Sequence, residues 1–307
     1  MADLVSHGPD ARDGRVYDMS EDLRLAIDVA LATDRPLLLS GDPGAGKSSL
    51  APYFAREHDM RYYEHVVTSR TQATDLLWTF DSVRRLADAQ AHRGMLNDGD
   101  YIDPGVLWWS LAPESAHTRG GLLKPLHRHD PHERFYRQHR TKGAVVLIDE
   151  IDKADPDVPN SLLVPLGSQE FTVAETGTPV RREADAGNAL IIITTNGERE
   201  LPQAFLRRCI TFTLPSPTRE SLMRIARLHL EEEGVELDSS TLDLAGDLAD
   251  QLMTVRKDEE VRRERQPSTA EYLDALRACR TLHLGPGHPR WPLVRSLTLA
   301  KSRQWER

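Results

Sequence analysis

The 307-residue sequence has few cysteines, few aromatic residues and no long apolar run. Its two cysteines, Cys209 and Cys279, are too few for a disulfide framework and fit a reducing, cytoplasmic location. The longest apolar runs, 144–148 and 190–193, are far shorter than the roughly 20 residues of a membrane-spanning helix. The first residues have neither a basic start nor an apolar core, so we expect no secretory signal and no membrane partner.

Basic residues are also in deficit, with 39 Lys and Arg against 48 Asp and Glu, which gives a formal charge of -9. A nonspecific nucleic-acid binder needs a broad phosphate-neutralising surface, so this balance disfavours nucleic acid as a partner. The content of 39% hydrophobic and 28% charged residues is ordinary for a globular protein. The length fits one large domain or two modest ones.

Short apolar or β-branched runs alternate with helical segments along the first two thirds of the chain. We expect these runs to be buried strands at 37–40, 62–67, 144–148, 190–195 and 210–214. Such alternation predicts an α/β fold with a five-stranded parallel sheet. Later segments show only helical spacing, which predicts helices at 219–232, 240–253, 269–282 and 291–307.

Breaks in this pattern predict the domain organisation. Residues 1–15 are polar and are expected to form a flexible N-terminus. Because Pro215-Ser216-Pro217 interrupts the chain, we expect an α/β domain at 16–215, a helical lid domain at 216–284 and a C-terminal tail at 285–307.

The gap between the second and third strands is far longer than one loop and one helix require, so it predicts an insertion. Residues 81–93 within it have helical spacing. The polar stretch 117–142 contains His127, His129 and His132, which we interpret as part of a solvated loop rather than as metal ligands.

A glycine-rich loop, Gly-Asp-Pro-Gly-Ala-Gly-Lys-Ser at 41–48, follows the first strand and precedes a helix at 49–56. Glycines allow successive backbone N–H groups to turn around phosphate oxygens at a helix N-terminus. Lys47 is expected to reach the β and γ phosphates, and the Ser48 hydroxyl to coordinate Mg²⁺. The predicted nucleotide-binding residues of this loop are Gly41, Asp42, Pro43, Gly44, Ala45, Gly46, Lys47, Ser48 and Ser49.

Polar side chains follow the third and fourth strands. We expect Asp149, at a carboxyl strand end, to hold Mg²⁺ and Glu150 to polarise a water for attack on the γ phosphate. Asn196 is expected to hydrogen-bond the γ phosphate and the attacking water without adding charge. Asp152 is interpreted as a helix cap or as a group that supports this site.

Together these motifs resemble the AAA+ ring-forming ATPases over residues 16–282. The segments 41–48, 147–150 and 194–196 match the Walker A, Walker B and sensor 1 elements in order. The resemblance implies a P-loop NTPase fold with a small all-α lid, and ATP and Mg²⁺ as ligands, although the residues themselves leave adenine or guanine open.

Within that family, the stretches 148–154, 161–166 and 170–173 resemble the MoxR-like branch. Its members carry an insertion and a hairpin before sensor 1. We therefore expect a hairpin that pairs 170–173 with 178–181 through Gly177.

The resemblance also implies roles for residues outside the main motifs. Residues 201–209 are similar to the arginine-finger segment, in which Arg208 is the finger and Arg207 its alternate. Val16 and Tyr17 match the place where the family packs the adenine base.

One departure from the family pattern concerns the sensor 2 arginine. Thr269 and Ala270 stand where it is expected, and Arg277 lies about two turns too late on the same helix. The lid then contributes less charge to the nucleotide, or another arginine, for example within 261–265, replaces it.

The function implied by the resemblance is that of a Mg²⁺-dependent ATPase that forms a ring, a hexamer, and remodels a protein partner. Partners in MoxR-like systems are often proteins with a von Willebrand factor A domain. Two alternatives stay open: a nucleotide-gated switch or scaffold with negligible hydrolysis, and a nucleic-acid-associated NTPase similar to the McrB-like GTPases.

Overall fold

The computed structural model describes residues 14–91, 97–121, 143–262, 266–285 and 288–299. These residues fall into two compact units. The sheet unit consists of 21–40 and 54–213, and the helical unit consists of the described residues up to 20, residues 41–53 and those from 214 onward. The expected domain bounds at 16–215 and 216–284 stay a prediction.

The helices and strands account for most of the described chain. In chain order they are α1 (Glu21–Ala32), β1 (Leu37–Ser40), α2 (Leu50–Glu57), β2 (Arg61–Val66), β3 (Trp78–Phe80), α3 (Ser82–Gln90), β4 (Ile102–Pro104), α4 (Val106–Leu111), α5 (Pro113–Thr118), β5 (Ala144–Asp149), α6 (Asp157–Ser161), α7 (Leu163–Ser168), β6 (Glu170–Val173), β7 (Thr178–Arg181), β8 (Ala189–Thr194), α8 (Gln203–Leu206), β9 (Ile210–Thr213), α9 (Arg219–Glu232), α10 (Ser239–Arg262), α11 (Thr269–Thr281) and α12 (Trp291–Thr298).

The sheet unit is built on a five-stranded sheet in the order β2-β5-β8-β1-β9. All four strand pairings are parallel, so the five expected strands and the α/β fold are confirmed. All six residues of β5 are buried, because a parallel strand in the middle of such a sheet is covered on both faces. The strands β5, β8 and β1 are neighbours, and their carboxyl ends at Asp149, Thr194 and Ser40 therefore share one edge of the sheet.

Each unit has its own apolar core. In the sheet unit, Trp108, Ile148, Ile193 and Phe205 belong to one buried cluster, and α1 packs against β1, β8 and β9. In the helical unit, the buried cluster joins α9, α10 and α11 around residues such as Tyr272, which is fully buried. Both units thus bury continuous apolar faces that the sequence periodicity predicts.

Both cysteines are buried and free. Burial raises the pKa of the Cys209 thiol to about 12, so this thiol is not a reactive group.

The insertion between β2 and β5 contains the expected helix, α3, together with α4, α5 and an antiparallel pair, β3 and β4, that the sequence did not predict. Each of these strands has only three residues, and β4 ends in Pro104, so neither shows a readable alternation. The residues 122–142, with His127, His129 and His132, lie outside the described residues.

The expected hairpin is confirmed, because β6 pairs with β7 in antiparallel register from Glu170 opposite Arg181 to Val173 opposite Thr178. Gly177 has φ +66°, a conformation that glycine adopts without steric cost.

Helix ends differ from expectation in the helical unit. The helix expected at 240–253 continues as α10 to Arg262. Its apolar periodicity fades after residue 253, but the helix does not end there because no Gly or Pro follows at 254–262. The helix α12 ends at Thr298, and residues 300–307 of the expected terminal helix lie outside the described residues. Among the helices described, none is long and apolar enough to cross a membrane.

Candidate functional site

The glycine-rich loop at 41–49 belongs to the helical unit and continues directly from β1 in the chain. Gly44 and Gly46 have φ of +74° and +90°, which side-chain-bearing residues rarely adopt. Inside the loop the Ala45 N–H donates to the Asp42 carbonyl at 3.1 Å, and the Ser49 N–H donates to the Gly46 carbonyl at 3.2 Å. The glycine spacing read from the sequence therefore corresponds to a tightly turned loop.

Lys47 lies across the start of this loop. Its side chain is 6% exposed, and Nζ donates to the carbonyl oxygens of Gly41 at 2.7 Å and Asp42 at 2.9 Å. Two contacts of the ammonium group are thus with neutral backbone acceptors of the loop, which bind a cation less strongly than an anionic phosphate does. The binding of phosphate by Lys47 stays a prediction.

Tyr17 lies beside the loop. A Cβ built on Gly46 would stand 3.6 Å from Tyr17 Cε2, and the Tyr17 ring centroid is 5.7 Å from that of Tyr53. Burial raises the pKa of the Tyr17 hydroxyl. Val16 is partly buried next to it. Their proposed contact with adenine stays a prediction.

Residues from the C-terminal part of the same unit contact the loop at Asp42. The Ser216 hydroxyl donates to Asp42 Oδ2 at 2.6 Å, and Arg256 Nη2 donates to the same oxygen at 2.7 Å. Arg256 is 6% exposed, and its Nη1 donates to the Pro267 carbonyl at 2.8 Å.

A second contact brings α11 to the loop. A Cβ on Gly44 would stand 2.1 Å from Ser268 Cβ, so only glycine fits there. Ser268 is the N-cap of α11, where its hydroxyl accepts from the Glu271 N–H and the Glu271 carboxylate accepts from the Ser268 N–H.

The sheet unit brings four predicted polar residues together at the edge where β5 and β8 end. We call Asp149, Glu150, Asp152 and Asn196 the strand-end cluster. Asp149 is 2% exposed, and its Oδ1 accepts from the Thr194 hydroxyl at 2.6 Å. That hydroxyl oxygen accepts in turn from the Glu150 N–H at 2.8 Å, so one threonine fixes both acidic residues.

Glu150 adopts a left-handed conformation with φ +61° immediately after β5. Its Oε1 accepts from Asn196 Nδ2 at 3.0 Å, and its Oε2 accepts from Lys153 Nζ at 2.6 Å. This hydrogen bond raises the pKa of Lys153. The candidate general base and the candidate amide are therefore neighbours, as parallel strand ends imply.

Asp152 supports the loop that carries Asn196. Its carboxylate is 3% exposed and accepts from the backbone N–H groups of Asn196 at 3.2 Å and Glu198 at 2.9 Å. The sequence allows Asp152 to be a helix cap or a group that supports the site, and its contacts are those of a supporting group.

The residues predicted to hold Mg²⁺ have the chemistry that this ion prefers. Mg²⁺ takes oxygen ligands, and one or two protein ligands suffice because it retains waters and binds substrate phosphates. Asp149 of the sheet unit has a carboxylate and Ser48 of the helical unit has a hydroxyl group, and their binding of Mg²⁺ stays a prediction. Among the described residues no group of three or more His, Cys, Asp and Glu is placed to hold a metal ion.

Arg207 and Arg208 follow α8 and are both exposed. Arg208 Nη1 donates to the Ala204 carbonyl at 3.3 Å, and Arg35 Nη1 donates to the Arg207 carbonyl at 3.5 Å. Exposure of both guanidinium groups is compatible with a finger that acts on another subunit, and this role stays a prediction.

Arg277 is engaged elsewhere on the helical unit, because its Nη2 lies 3.0 Å from Glu233 Oε1. Thr269 is the first residue of α11 and Ala270 is exposed. The described residues thus place no cation of α11 at the loop, and the arginine found there is Arg256 of α10.

The residues whose contacts with the predicted site were not anticipated from the sequence include Thr194, Lys153, Ser216 and Arg256. A signal existed for Lys153, which stands three residues after Glu150 and has the opposite charge. Arg256 is 214 positions from Asp42 in the sequence, and no local sequence pattern predicts that contact.

The fold is that of a P-loop nucleoside triphosphatase. A glycine-rich loop of the phosphate-binding kind connects β1 to α2, and the interior parallel strand β5 ends in an acidic residue. Residues 36–209, more than half of the chain, match the family model for the AAA domain of the dynein-related subfamily. The chain belongs to this family, and membership supports nucleotide binding.

Two solved structures are similar in part. A protein from Cytophaga hutchinsonii, described as a candidate ATPase, is 15% identical over 88% of this chain and 76% of its own, with a TM-score of 0.44. A variant of RuvB from Thermotoga maritima is 14% identical over 86% of this chain and 69% of its own, with a TM-score of 0.42. No curated protein matches the chain. No function is transferred from either structure at this level of similarity.

Proposed function

We propose that this chain is a Mg²⁺-dependent ATPase of the MoxR-like branch that assembles into a ring and remodels a protein partner. The observation that carries the hydrolytic part is the 3.0 Å contact between Asn196 Nδ2 and Glu150 Oε1. A base and a neutral donor held together at a strand end are what activation of a water requires.

The glycine-rich loop is the proposed phosphate-binding element. Its backbone N–H groups and Lys47 bind the phosphate oxygens, and Ser48 and Asp149 would hold Mg²⁺. When bound, Mg²⁺ neutralises charge on the β and γ phosphates and lowers the barrier to their separation. Val16 and Tyr17 are proposed to contact the base.

The strand-end cluster is proposed to act on water. Glu150 accepts a proton as the water oxygen forms a bond to the γ phosphorus, while the bond from that phosphorus to the β–γ bridging oxygen breaks. The products are ADP and inorganic phosphate, and Glu150 releases its proton to the phosphate or to solvent. Asn196 orients the water or the γ phosphate by hydrogen bonding.

Replacement of Lys47 tests the enzymatic proposal. We expect Lys47→Ala to abolish ATP turnover measured by phosphate release, whereas Lys257→Ala, which removes an exposed lysine of α10, leaves it unchanged. Normal turnover by Lys47→Ala would show that the chain is not an ATPase of this kind.

Assembly is tested by solution mass. We expect Glu150→Gln, which retains ATP without turnover, to form a ring in ATP and Mg²⁺ and to dissociate without them. The exposed Arg208 then reaches a neighbouring nucleotide, with Arg207 as its alternate. A chain that stays monomeric under both conditions contradicts ring assembly. The von Willebrand factor A domain partner would be sought by co-purification with the assembled variant.

One observation favours a second candidate, a nucleotide-gated switch with negligible hydrolysis. Both carboxylate oxygens of Glu150 are engaged, by Asn196 and by Lys153. If the chain is a switch, Glu150→Gln leaves nucleotide release and assembly unchanged, whereas an ATPase retains ATP when Glu150 is replaced.

A further inference from the structure

Asp42, the second residue of the glycine-rich loop, has a negative charge, the same sign as the phosphates that the loop is proposed to bind. A carboxylate in a phosphate-binding loop repels the phosphates, and this repulsion grows where water is excluded. The Asp42 side chain is 42% exposed, so solvent screens part of its charge and groups of the protein can compensate the rest.

Two groups of the helical unit supply that compensation. The Ser216 hydroxyl and the Arg256 guanidinium both donate to Asp42 Oδ2, at 2.6 and 2.7 Å. Arg256 is fixed by its second contact, to the Pro267 carbonyl, and its side chain is only 7% exposed. A buried guanidinium with two acceptors has little freedom to reach another anion.

Lys47 is the competing cation. It contacts the Asp42 backbone carbonyl at 2.9 Å, which brings its ammonium group close to the Asp42 side chain. The Ser216 hydrogen bond is the main cause of the lowered pKa of Asp42, and Arg256 and the charge of Lys47 lower this pKa further. Burial of the carboxylate acts in the opposite direction. Without Arg256, the carboxylate has Lys47 as its nearest remaining cation among these groups.

We propose that Arg256 is a positioning residue for triphosphate binding, which holds the Asp42 carboxylate and so prevents it from competing with the phosphates for Lys47. This inference rests on the proposed function and adds a specific role for α10. Arg256 acts through Asp42 and does not itself replace Lys47. Its Pro267 contact also places it one residue from Ser268, which packs against Gly44.

The test measures binding of the Mg²⁺ complex of adenylyl imidodiphosphate, a non-hydrolysable ATP analogue, by calorimetry. We expect Arg256→Met to weaken binding at least tenfold, because Asp42 is then free to pair with Lys47. The double variant Asp42→Asn with Arg256→Met should bind within about threefold of wild type. Asp42→Asn alone should bind at least as tightly as wild type.

The matched control is Arg219→Met, which breaks another Arg–Asp pair of the helical unit, the exposed pair of Arg219 and Asp250 at 2.6 Å. It should leave binding unchanged. Thermal unfolding without nucleotide shows whether each variant is folded. If Arg256→Met does not fold, Asp42→Asn carries the test, since weaker binding by this variant overturns the inference.

Two further results also overturn the inference. One is Arg256→Met binding within twofold of wild type, and the other is a folded double variant that binds as weakly as Arg256→Met. The second result would indicate that Arg256 contacts the nucleotide directly. Failure of wild-type protein to bind the analogue is a separate outcome, because it contradicts the proposed function itself.

Discussion

Lys153 Nζ lies 2.6 Å from Oε2 of Glu150, the proposed general base. The lysine side chain is 41% exposed, and its pKa is raised by the Glu150 hydrogen bond, so it stays protonated at neutral pH. This contact occupies one carboxylate oxygen of Glu150, so that oxygen has to give up the lysine before it can accept the proton of a water.

Replacing Lys153 should therefore raise ATP turnover. Exposed ion pairs contribute about 0.2–1 kcal/mol, which corresponds to an increase in kcat of about 1.4- to fivefold in Lys153→Met. We expect nucleotide affinity to stay unchanged, and steady-state phosphate release together with calorimetry would check both values. A loss of turnover would instead mean that Lys153 orients Glu150 productively.

Asp152 should be important for stability as well as for the site. Asp152→Ala removes the acceptor of the backbone N–H groups of Asn196 and Glu198, and hydrogen bonds to a charged group contribute about 1.5–3 kcal/mol. We expect urea unfolding to show a loss of about 2–3 kcal/mol. Asp28→Ala, at an exposed position of α1, is the control and should change stability by no more than about 0.5 kcal/mol. Equal stability of the two variants would contradict the role given to Asp152.

The fold was largely predictable because its strands are continuous apolar runs. Val145, Val146, Leu147 and Ile148 are all fully buried, and such a run between breaker residues has few alternatives to a central parallel strand. The three-residue strands of the insertion carry no comparable signal, since their placement depends on tertiary contacts such as the stacking of Trp78 on Phe171.

The site residues that directly follow a strand were predictable from the sequence. Glu150 and Asn196 each end an apolar run, and parallel pairing of β5 with β8 brings them together. The contact of Asp42 with Arg256 depends on how α10 packs, and Arg256 lies beyond the point where the apolar periodicity of that helix fades. Periodicity alone does not indicate such a contact.

Replacement of Gly44 or Gly177 by alanine distinguishes the effect of backbone strain from that of a steric clash. Both have positive φ, of +74° and +66°, but a Cβ at Gly44 meets Ser268 at 2.1 Å whereas one at Gly177 has no atom within 4 Å. Alanine at a left-handed position costs about 1–2 kcal/mol in either case. We expect only Gly44→Ala to weaken binding of the ATP analogue, by at least tenfold, and equal affinities for the two variants would contradict the packing described.

Acid unfolding should reveal the Asp42 contacts. Its pKa lies below the ordinary value of 3.8, chiefly because of the Ser216 hydrogen bond. A group with a lowered pKa in the folded state contributes stability above its unfolded pKa and loses it as the pH falls through the folded pKa. Asp42→Asn lacks this contribution, so the difference in unfolding free energy from wild type should shrink as the pH falls below 3.8. Urea unfolding over a pH series measures it, and a difference independent of pH would contradict these contacts.

Arg208 should act on the nucleotide of a neighbouring subunit. Subunits with Arg208→Ala retain an intact glycine-rich loop but supply no finger, whereas subunits with Lys47→Ala supply a finger but bind no triphosphate. Each variant alone should be inactive, and mixing the two should restore part of the wild-type turnover, because some mixed interfaces then contain both Lys47 and Arg208. Arg207→Ala is the matched control, since Arg207 is equally exposed and adjacent in sequence. Turnover that stays absent in every mixture, although solution mass shows mixed assemblies, would mean that Arg208 does not complete a neighbouring site. If Arg207→Ala is inactive alone and recovers on mixing while Arg208→Ala is active alone, the finger is Arg207.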